Sequence, residues 1–223
     1  MSTAAQPYPL PAGGGYPPHG GDTELTQDAK EALRAAIRAA RLSRSDRRRQ
    51  EAALAFADVL DTFPGLSDAR CVAVYASRPT EPDTGPLLER LAGRGVRVLL
   101  PVLGEGLQRD WAPYAGADDL LQRAPGRPPE PSTPALGPLA LAEADVVVAP
   151  ALAVDTGGAR LGQGGGWYDR ALEHAAADVP VVAVVYAEEV YDAVERPLPR
   201  EPHDRLVDAV ATPDGWSWLR AAG

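Results

Sequence analysis

The sequence predicts an α/β fold, with a largely parallel sheet sandwiched between helices. Three observations predict it. Apolar runs of strand length recur at 71–75, 96–102, 145–150, 179–186 and 207–211. These runs are continuous rather than alternating, as expected for strands covered on both faces and so paired in parallel. Helix-patterned or turn-rich segments separate them, which gives the rhythm of βαβ units and a Rossmann-like three-layer arrangement. At 223 residues the chain suits one hydrophobic core. We therefore expect a single domain over 23–223. Residues 1–22 are rich in Pro and Gly with few aliphatic side chains, so we expect a disordered tail that cannot offset its ordering entropy.

Each element follows from local pattern. Leu25, Ala29, Leu33, Ile37 and Ala40 recur at steps of three and four, predicting a helix from about Thr26 with Asp28 and Glu31 as a capping box. A second helix is predicted over 45–62, with Ala53, Phe56, Ala57 and Leu60 on one face and Pro64-Gly65 ending it. A third starts at Thr84 with Pro86 in its first turn. Segment 104–138 has only Leu107, Trp111, Leu120 and Leu121 to pack, so no regular structure is expected there beyond a short hairpin near Trp111. A last helix is predicted over 167–176. No internal repeat is apparent.

Composition excludes several function classes. The longest apolar runs, 146–154 and 179–187, fall well short of the roughly 20 residues that span a bilayer. The N-terminus lacks the basic start and apolar run of a secretory signal, and Cys71 is the only cysteine, so a cytoplasmic protein without disulfides is expected. Cys71 opens an apolar run and reads as core. His19, His174 and His203 are scattered, which supports no zinc site. A net charge of −9 opposes nucleic acid and anionic membranes as partners. It does not oppose a small anion, which local cations and oriented N–H groups hold within a Debye length.

The segment from Asp155 to Arg170 carries most of the chemistry. Gly157, Gly158, Gly162, Gly164, Gly165 and Gly166 lie between a buried strand and a helix start. Such a backbone can take positive φ, approach a ligand closely and present unpaired helix N–H groups to phosphate. Arg160 adds a forked donor. There is no Gly-Lys-Ser/Thr ending, and Trp167 stands where a dinucleotide fingerprint needs glycine, so neither common phosphate motif applies. A plain strand-to-helix connection competes with the anion site on composition alone. Asp169 is equally readable as a first-turn carboxylate favoured by the helix dipole. Lys30 and Arg34 share a helical face, readable either as a phosphate grip or, with Arg38 and Arg41, as a solvated basic face.

The run from Pro150 to Asp155, through Arg160-Leu161-Gly162 to Trp167-Tyr168-Asp169-Arg170, resembles the 5-formyltetrahydrofolate cyclo-ligase family, and the likeness extends from Lys30 to Thr212. Lys30 with Arg34, the acidic stretch Glu81-Pro82-Asp83-Thr84 and the run Pro202-His203-Asp204 fall in the family's order. Glu130-Pro131 matches a glutamate expected near the folate, within a segment that follows the family loosely. The family often carries arginine where this chain has Gln163 and tyrosine where it has Trp167.

The resemblance implies an ATP- and Mg²⁺-dependent ligase of one-carbon metabolism. The formyl oxygen of 5-formyltetrahydrofolate attacks the γ-phosphate, nitrogen 10 closes on the activated carbon, and 5,10-methenyltetrahydrofolate, ADP and phosphate result. It implies Arg160, Tyr168 and Asp169 as catalytic residues. Nucleotide contacts are implied for Lys30, Arg34, Arg160, Leu161, Gly162, Gln163, Gly164, Gly165, Gly166, Trp167 and Tyr168. Folate contacts fall to Glu81, Trp167 and Tyr168, and Mg²⁺ to Asp169 and Asp204. A small-molecule substrate and a monomer are expected. The two departures leave a binder without turnover as the alternative, and folds of this broad type also host sugar-phosphate isomerases and coenzyme A transferases.

Overall fold

The computed structural model describes residues 23–103, 108–201 and 204–219. The expected tail 1–22, Leu107, Pro202 and His203 lie outside the described residues. Helix α1 (Thr23–Leu42) begins ahead of the expected start and places Asp28 inside the helix. The capping box predicted there is corrected, because a residue with helical backbone on both sides cannot cap. Helix α2 (Asp46–Asp61) matches its prediction: Ser45 caps it through Oγ, which accepts from the Arg48 N–H at 3.4 Å, and Thr62 closes it. Helix α3 (Gly85–Gly93) carries Pro86 in its first turn. The Thr84 hydroxyl before it does not cap the helix; it donates to the Tyr75 carbonyl at 2.6 Å and ties the helix start to the end of the first strand.

The strands are β1 (Cys71–Ala73), β2 (Arg97–Leu103), β3 (Arg109–Pro113), β4 (Val146–Pro150), β5 (Ala153–Asp155), β6 (Arg160–Leu161), β7 (Val181–Val184), β8 (Val190–Tyr191), β9 (Ala209–Thr212) and β10 (Gly215–Trp218). Seven form one sheet in the order β10-β9-β7-β4-β1-β2-β3. Its central pairs are parallel, and β3 and β10 close the two edges in antiparallel fashion. The hairpin expected near Trp111 is the β2–β3 pair, with Pro101 opposite Trp111. Val146, Val147, Val148 and Ala149 are all fully buried. Successive strand residues point to opposite faces, so both faces of the sheet are covered. Each such valine contributes roughly 1.5–3 kcal/mol through burial.

Beyond the edge strand β10, which no apolar run foretold, two features depart from expectation. The helix predicted over 167–176 is α4 (Trp167–Ala171), continued only by a 3₁₀ turn at Leu172–His174. Its N-cap is Gly166, which has no side chain to cap with, and the chain must extend by Ala175 to bring Val181 into register with Val147. The second feature is a three-stranded sheet, β6-β5-β8, that the apolar pattern did not separate from β4. Leu33 and Ile37 of α1 pack onto it, together with Leu152, Leu161, Tyr191 and Leu198, in a small second core.

In the large sheet, β1 pairs with β2 on one side and β4 on the other. The strand order therefore reverses at β1, and the crevice beyond the carboxyl ends of β1 and β4 is where sheets of this kind bind ligands.

Candidate active site

A cavity of about 540 Å³ fills that crevice. Tyr75 and Ala76 after β1, Pro101 to Leu103 of β2 and Pro150 at the end of β4 form its base. α1 contributes Gln27, Lys30 and Arg34; the segment from Arg160 to Asp169 forms a second wall; Arg127, Pro128 and Glu130 form a third. Glu81, Glu201 and Asp204 complete it. Every residue to which the resemblance gave a nucleotide, folate or metal role thus borders one cavity. Tyr75, Arg78, Arg127 and Glu201 join them without having been picked out. For Glu201 no sequence signal existed. Arg78 was findable as a cation three residues before Glu81.

The basic face of α1 turns inward. Lys30 and Arg34 are only 4% and 8% exposed, which overturns the reading as a solvated face. Lys30 Nζ donates to Asp204 at 2.6 Å and to Glu201 at 3.0 Å. Arg34 Nε donates to the Gly162 carbonyl at 3.0 Å, and its Nη1 meets Glu31 at 3.2 Å. Arg41 lies deeper still, in a forked pair with Glu189.

The glycine segment divides in two. Asp155 Oδ1 accepts from the N–H groups of Gly157 and Ala159 at 3.0 and 2.9 Å, and its Oδ2 accepts from Leu198 at 3.1 Å. This folds 155–159 into the tight turn between β5 and β6. Gly158 has φ +89°, and a Cβ there would stand 2.7 Å from the Val207 carbonyl. Gly157 and Gly158 are therefore hairpin glycines away from the cavity, which corrects their expected place at a ligand; the segment borders the cavity only from Arg160 onward. Gly164, at φ +103°, passes against the Arg34 guanidinium, which a Cβ would meet at 3.5 Å. The helix that follows is a five-residue segment, so its dipole adds less than a full helix would.

Arg160 is held beside Asp169. Its Nη2 donates to Asp169 Oδ1 at 2.8 Å and its Nη1 to the Pro150 carbonyl at 3.2 Å, while buried Nε has no hydrogen-bond partner among the described residues. The Tyr168 hydroxyl is likewise buried and unpartnered among them. Burial drives its pKa far above the ordinary phenol value, against the smaller pull of Arg160, so it is a neutral donor. Trp167 borders the cavity, whereas Trp111 does not: it is 1% exposed and packs edge-on against Trp167 with ring centroids 5.3 Å apart. Cys71 is buried, and desolvation raises its thiol pKa, consistent with core.

Among the described residues no three His, Cys, Asp or Glu side chains group to hold a metal by themselves. Asp169 and Asp204 instead face cations. That donor set fits Mg²⁺ arriving with phosphates, since this ion keeps most of its waters and takes one or two carboxylates.

A doubly wound sheet whose switch-point crevice is lined by buried cations, glycines and carboxylates defines an α/β protein with a charged ligand cavity at the carboxyl ends of its strands. The chain belongs to the 5-formyltetrahydrofolate cyclo-ligase family, whose model matches residues 26–213. It is 35% identical over 188 residues to the 5-formyltetrahydrofolate cyclo-ligase of Escherichia coli K12, covering 82% of this chain and all of that one. It is 43% identical over 150 residues to that of Mycolicibacterium smegmatis, covering 65% of this chain and 74% of that one. The NMR structure of Aquifex aeolicus 5,10-methenyltetrahydrofolate synthetase superposes with a TM-score of 0.71 at 27% identity, covering 87% of this chain and 93% of that one. No described helix is long and apolar enough to cross a membrane.

Proposed function

We propose that this chain closes 5-formyltetrahydrofolate to 5,10-methenyltetrahydrofolate at the expense of ATP. The observation that carries this reading is the convergence, in one switch-point cavity, of Lys30, Arg34 and Arg160 with Asp169, Asp204, Glu81 and Trp167. The formamide oxygen is a poor leaving group. Its attack on the terminal phosphorus, with ADP departing, converts it to a good one. Nitrogen 10 then attacks the formyl carbon, loses its proton and expels phosphate, leaving the methenyl bridge. This chemistry asks for positioning and charge neutralisation, and no nucleophile from the protein is needed.

Lys30, Arg34 and Arg160 take the phosphate oxygens, helped by main-chain N–H groups between Gly162 and Gly166. Asp169 and Asp204 would hold Mg²⁺, which would supply charge neutralisation at the phosphates. The Tyr168 hydroxyl, without a hydrogen-bond partner among the described residues and kept protonated by burial, donates to oxygen on which charge develops. Glu81 accepts from ring N–H groups of the pterin, and Trp167 stacks on it. The net charge of −9 agrees with a small-molecule substrate rather than nucleic acid or an anionic membrane, and we take the enzyme to act as a monomer in the cytoplasm. The test is to mix the protein with ATP, Mg²⁺ and 5-formyltetrahydrofolate and follow methenyl absorbance. One product per ADP is expected; ligand binding without product rejects the enzyme reading and leaves a binder.

A further inference from the structure

Of the α1 cations, Arg38 and Arg41 form no wall of the cavity, and Arg41 is taken up by Glu189, which leaves Arg38. Its side chain is 39% exposed, yet its donors are directed. Nε donates to Gln163 Oε1 at 3.2 Å and Nη2 to the Gln163 carbonyl at 2.9 Å, while Nη1 meets Glu31 at 3.3 Å. Both oxygens of Gln163 therefore face one guanidinium. The amide nitrogen is turned the opposite way, where Nε2 donates to Glu81 Oε1 at 3.0 Å.

The far side of Glu81 is also fixed. Arg78 Nε and Nη2 donate to Oε1 at 3.2 and 2.9 Å, and the Arg78 N–H donates to Oε2 at 3.0 Å. Among the described residues Oε1 thus has three side-chain donors, whereas Oε2 has a single main-chain donor and keeps accepting capacity at the cavity that Glu81 borders. A side-chain amide is nearly isosteric with its flipped form. Flipped, Gln163 would set an oxygen against the Glu81 carboxylate. The charged bond from Arg38 removes that degeneracy and anchors a glycine-flanked stretch of backbone.

We infer that Arg38 is a positioning residue for the folate: through Gln163 it fixes the direction in which Glu81 presents its second oxygen to the substrate. Gln163 then serves the folate side of the cavity, its oxygens and one amide hydrogen being already engaged away from phosphate. This rests on the folate role proposed for Glu81.

The test compares R38M, R38K, Q163E and R38M/Q163M with the wild type, reading calorimetric affinity for 5-formyltetrahydrofolate without ATP, KM for each substrate and melting temperature. R38M is expected to weaken folate affinity about tenfold, with KM for ATP changed less than about twofold and melting unchanged. R38K restores part of the loss, since an ammonium lacks the fork that reaches both oxygens. Q163E keeps acceptors for Arg38 but sets a like charge on Glu81, and weakens folate binding at least as much. The double variant is no worse than R38M, because both changes break one relay. Equal effects on both substrates, unchanged folate affinity or a double variant that binds folate more weakly than R38M overturns the inference. A wild type that does not bind 5-formyltetrahydrofolate overturns the functional reading and this inference with it; a wild type that binds it no better than R38M overturns this inference alone.

Discussion

Lys30 holds Asp204 at 2.6 Å, joining α1 to a segment 174 residues further along the chain. Arg160 holds Asp169 in the same way at 2.8 Å. In both pairs the proposed phosphate cation neutralises the proposed metal carboxylate. Free ATP has to separate these pairs and leave two carboxylates facing phosphate, whereas MgATP gives each partner a new one. We predict that omitting Mg²⁺ weakens ATP binding by about tenfold or more, roughly the cost of one uncompensated charged contact. Calorimetric titration with and without Mg²⁺ measures it, and equal affinities would refute the exchange.

Asp169→Asn isolates the carboxylate. Asparagine keeps an oxygen for Arg160 but loses the charge for a divalent ion. Turnover is expected to fall on the order of a hundredfold, as for removal of one preorganised electrostatic partner, with the melting temperature little changed because the side chain sits at the cavity edge. Wild-type kcat in saturating Mg²⁺ would take Asp169 out of the metal site.

Glycines of the same segment should respond in different currencies. Gly158→Ala puts a Cβ 2.7 Å from the Val207 carbonyl at φ +89°. A loss of about 2 kcal/mol or more in stability is expected, read by urea unfolding. Gly165 has open space around its Cβ position and no positive φ. Gly165→Ala should leave stability within about 0.5 kcal/mol while raising KM for ATP, since a methyl there obstructs only a ligand close to the backbone. A stability loss at Gly165 with normal KM would contradict the division.

That division also marks what the sequence could express. Continuous valine runs placed the central strands and their parallel pairing, because burial on both faces writes itself into composition. The two-residue β6 is too short for any period, so the Asp155 turn and β6 merged into one glycine-rich loop, while β5 ran on from the apolar run of β4. Lys30 and Arg34 were legible as an i, i+4 pair, but not their burial, which depends on the segments bearing Gly162 and Asp204 meeting α1. Arg38 read as more of a solvated face for the same reason. Its partner Gln163 is 125 residues away.

Asp145 provides a pH test outside the cavity. Its Oδ2 accepts from the N–H groups of Arg70 and Cys71 at 2.7 and 2.9 Å, and these bonds, that to Cys71 foremost, hold its carboxyl below the usual value. A depressed folded pKa contributes stability above the unfolded value and loses it as pH falls through the folded one. Asp145→Asn should therefore cost about 1 kcal/mol or less at neutral pH, discounted because the group is solvent-exposed. The deficit should shrink below about pH 4, where the wild-type carboxyl also protonates. A deficit independent of pH would show that shape rather than charge matters there.

The Arg41–Glu189 pair should behave in the opposite sense, as a buried unit. Both side chains are 2% exposed, Arg41 Nε and Nη2 each donate to Glu189 at 2.7 Å, and Nη2 also reaches the Ala151 carbonyl at 2.7 Å. The Tyr186 N–H donates to Glu189 as well, at 2.9 Å, so the pair fastens α1 to the ends of β4 and β7. Arg41→Met leaves a buried carboxylate unpaired and is expected to cost about 3–5 kcal/mol. For a domain of this size that lowers the melting temperature by on the order of 10 °C. Replacing both partners by methionine removes the stranded charge together with its partner, and should recover most of the loss. Calorimetric melting of the two single variants and the double variant decides it: if the double variant melts at the sum of the single losses, the pair is not acting as a unit and α1 is held chiefly by Leu33 and Ile37.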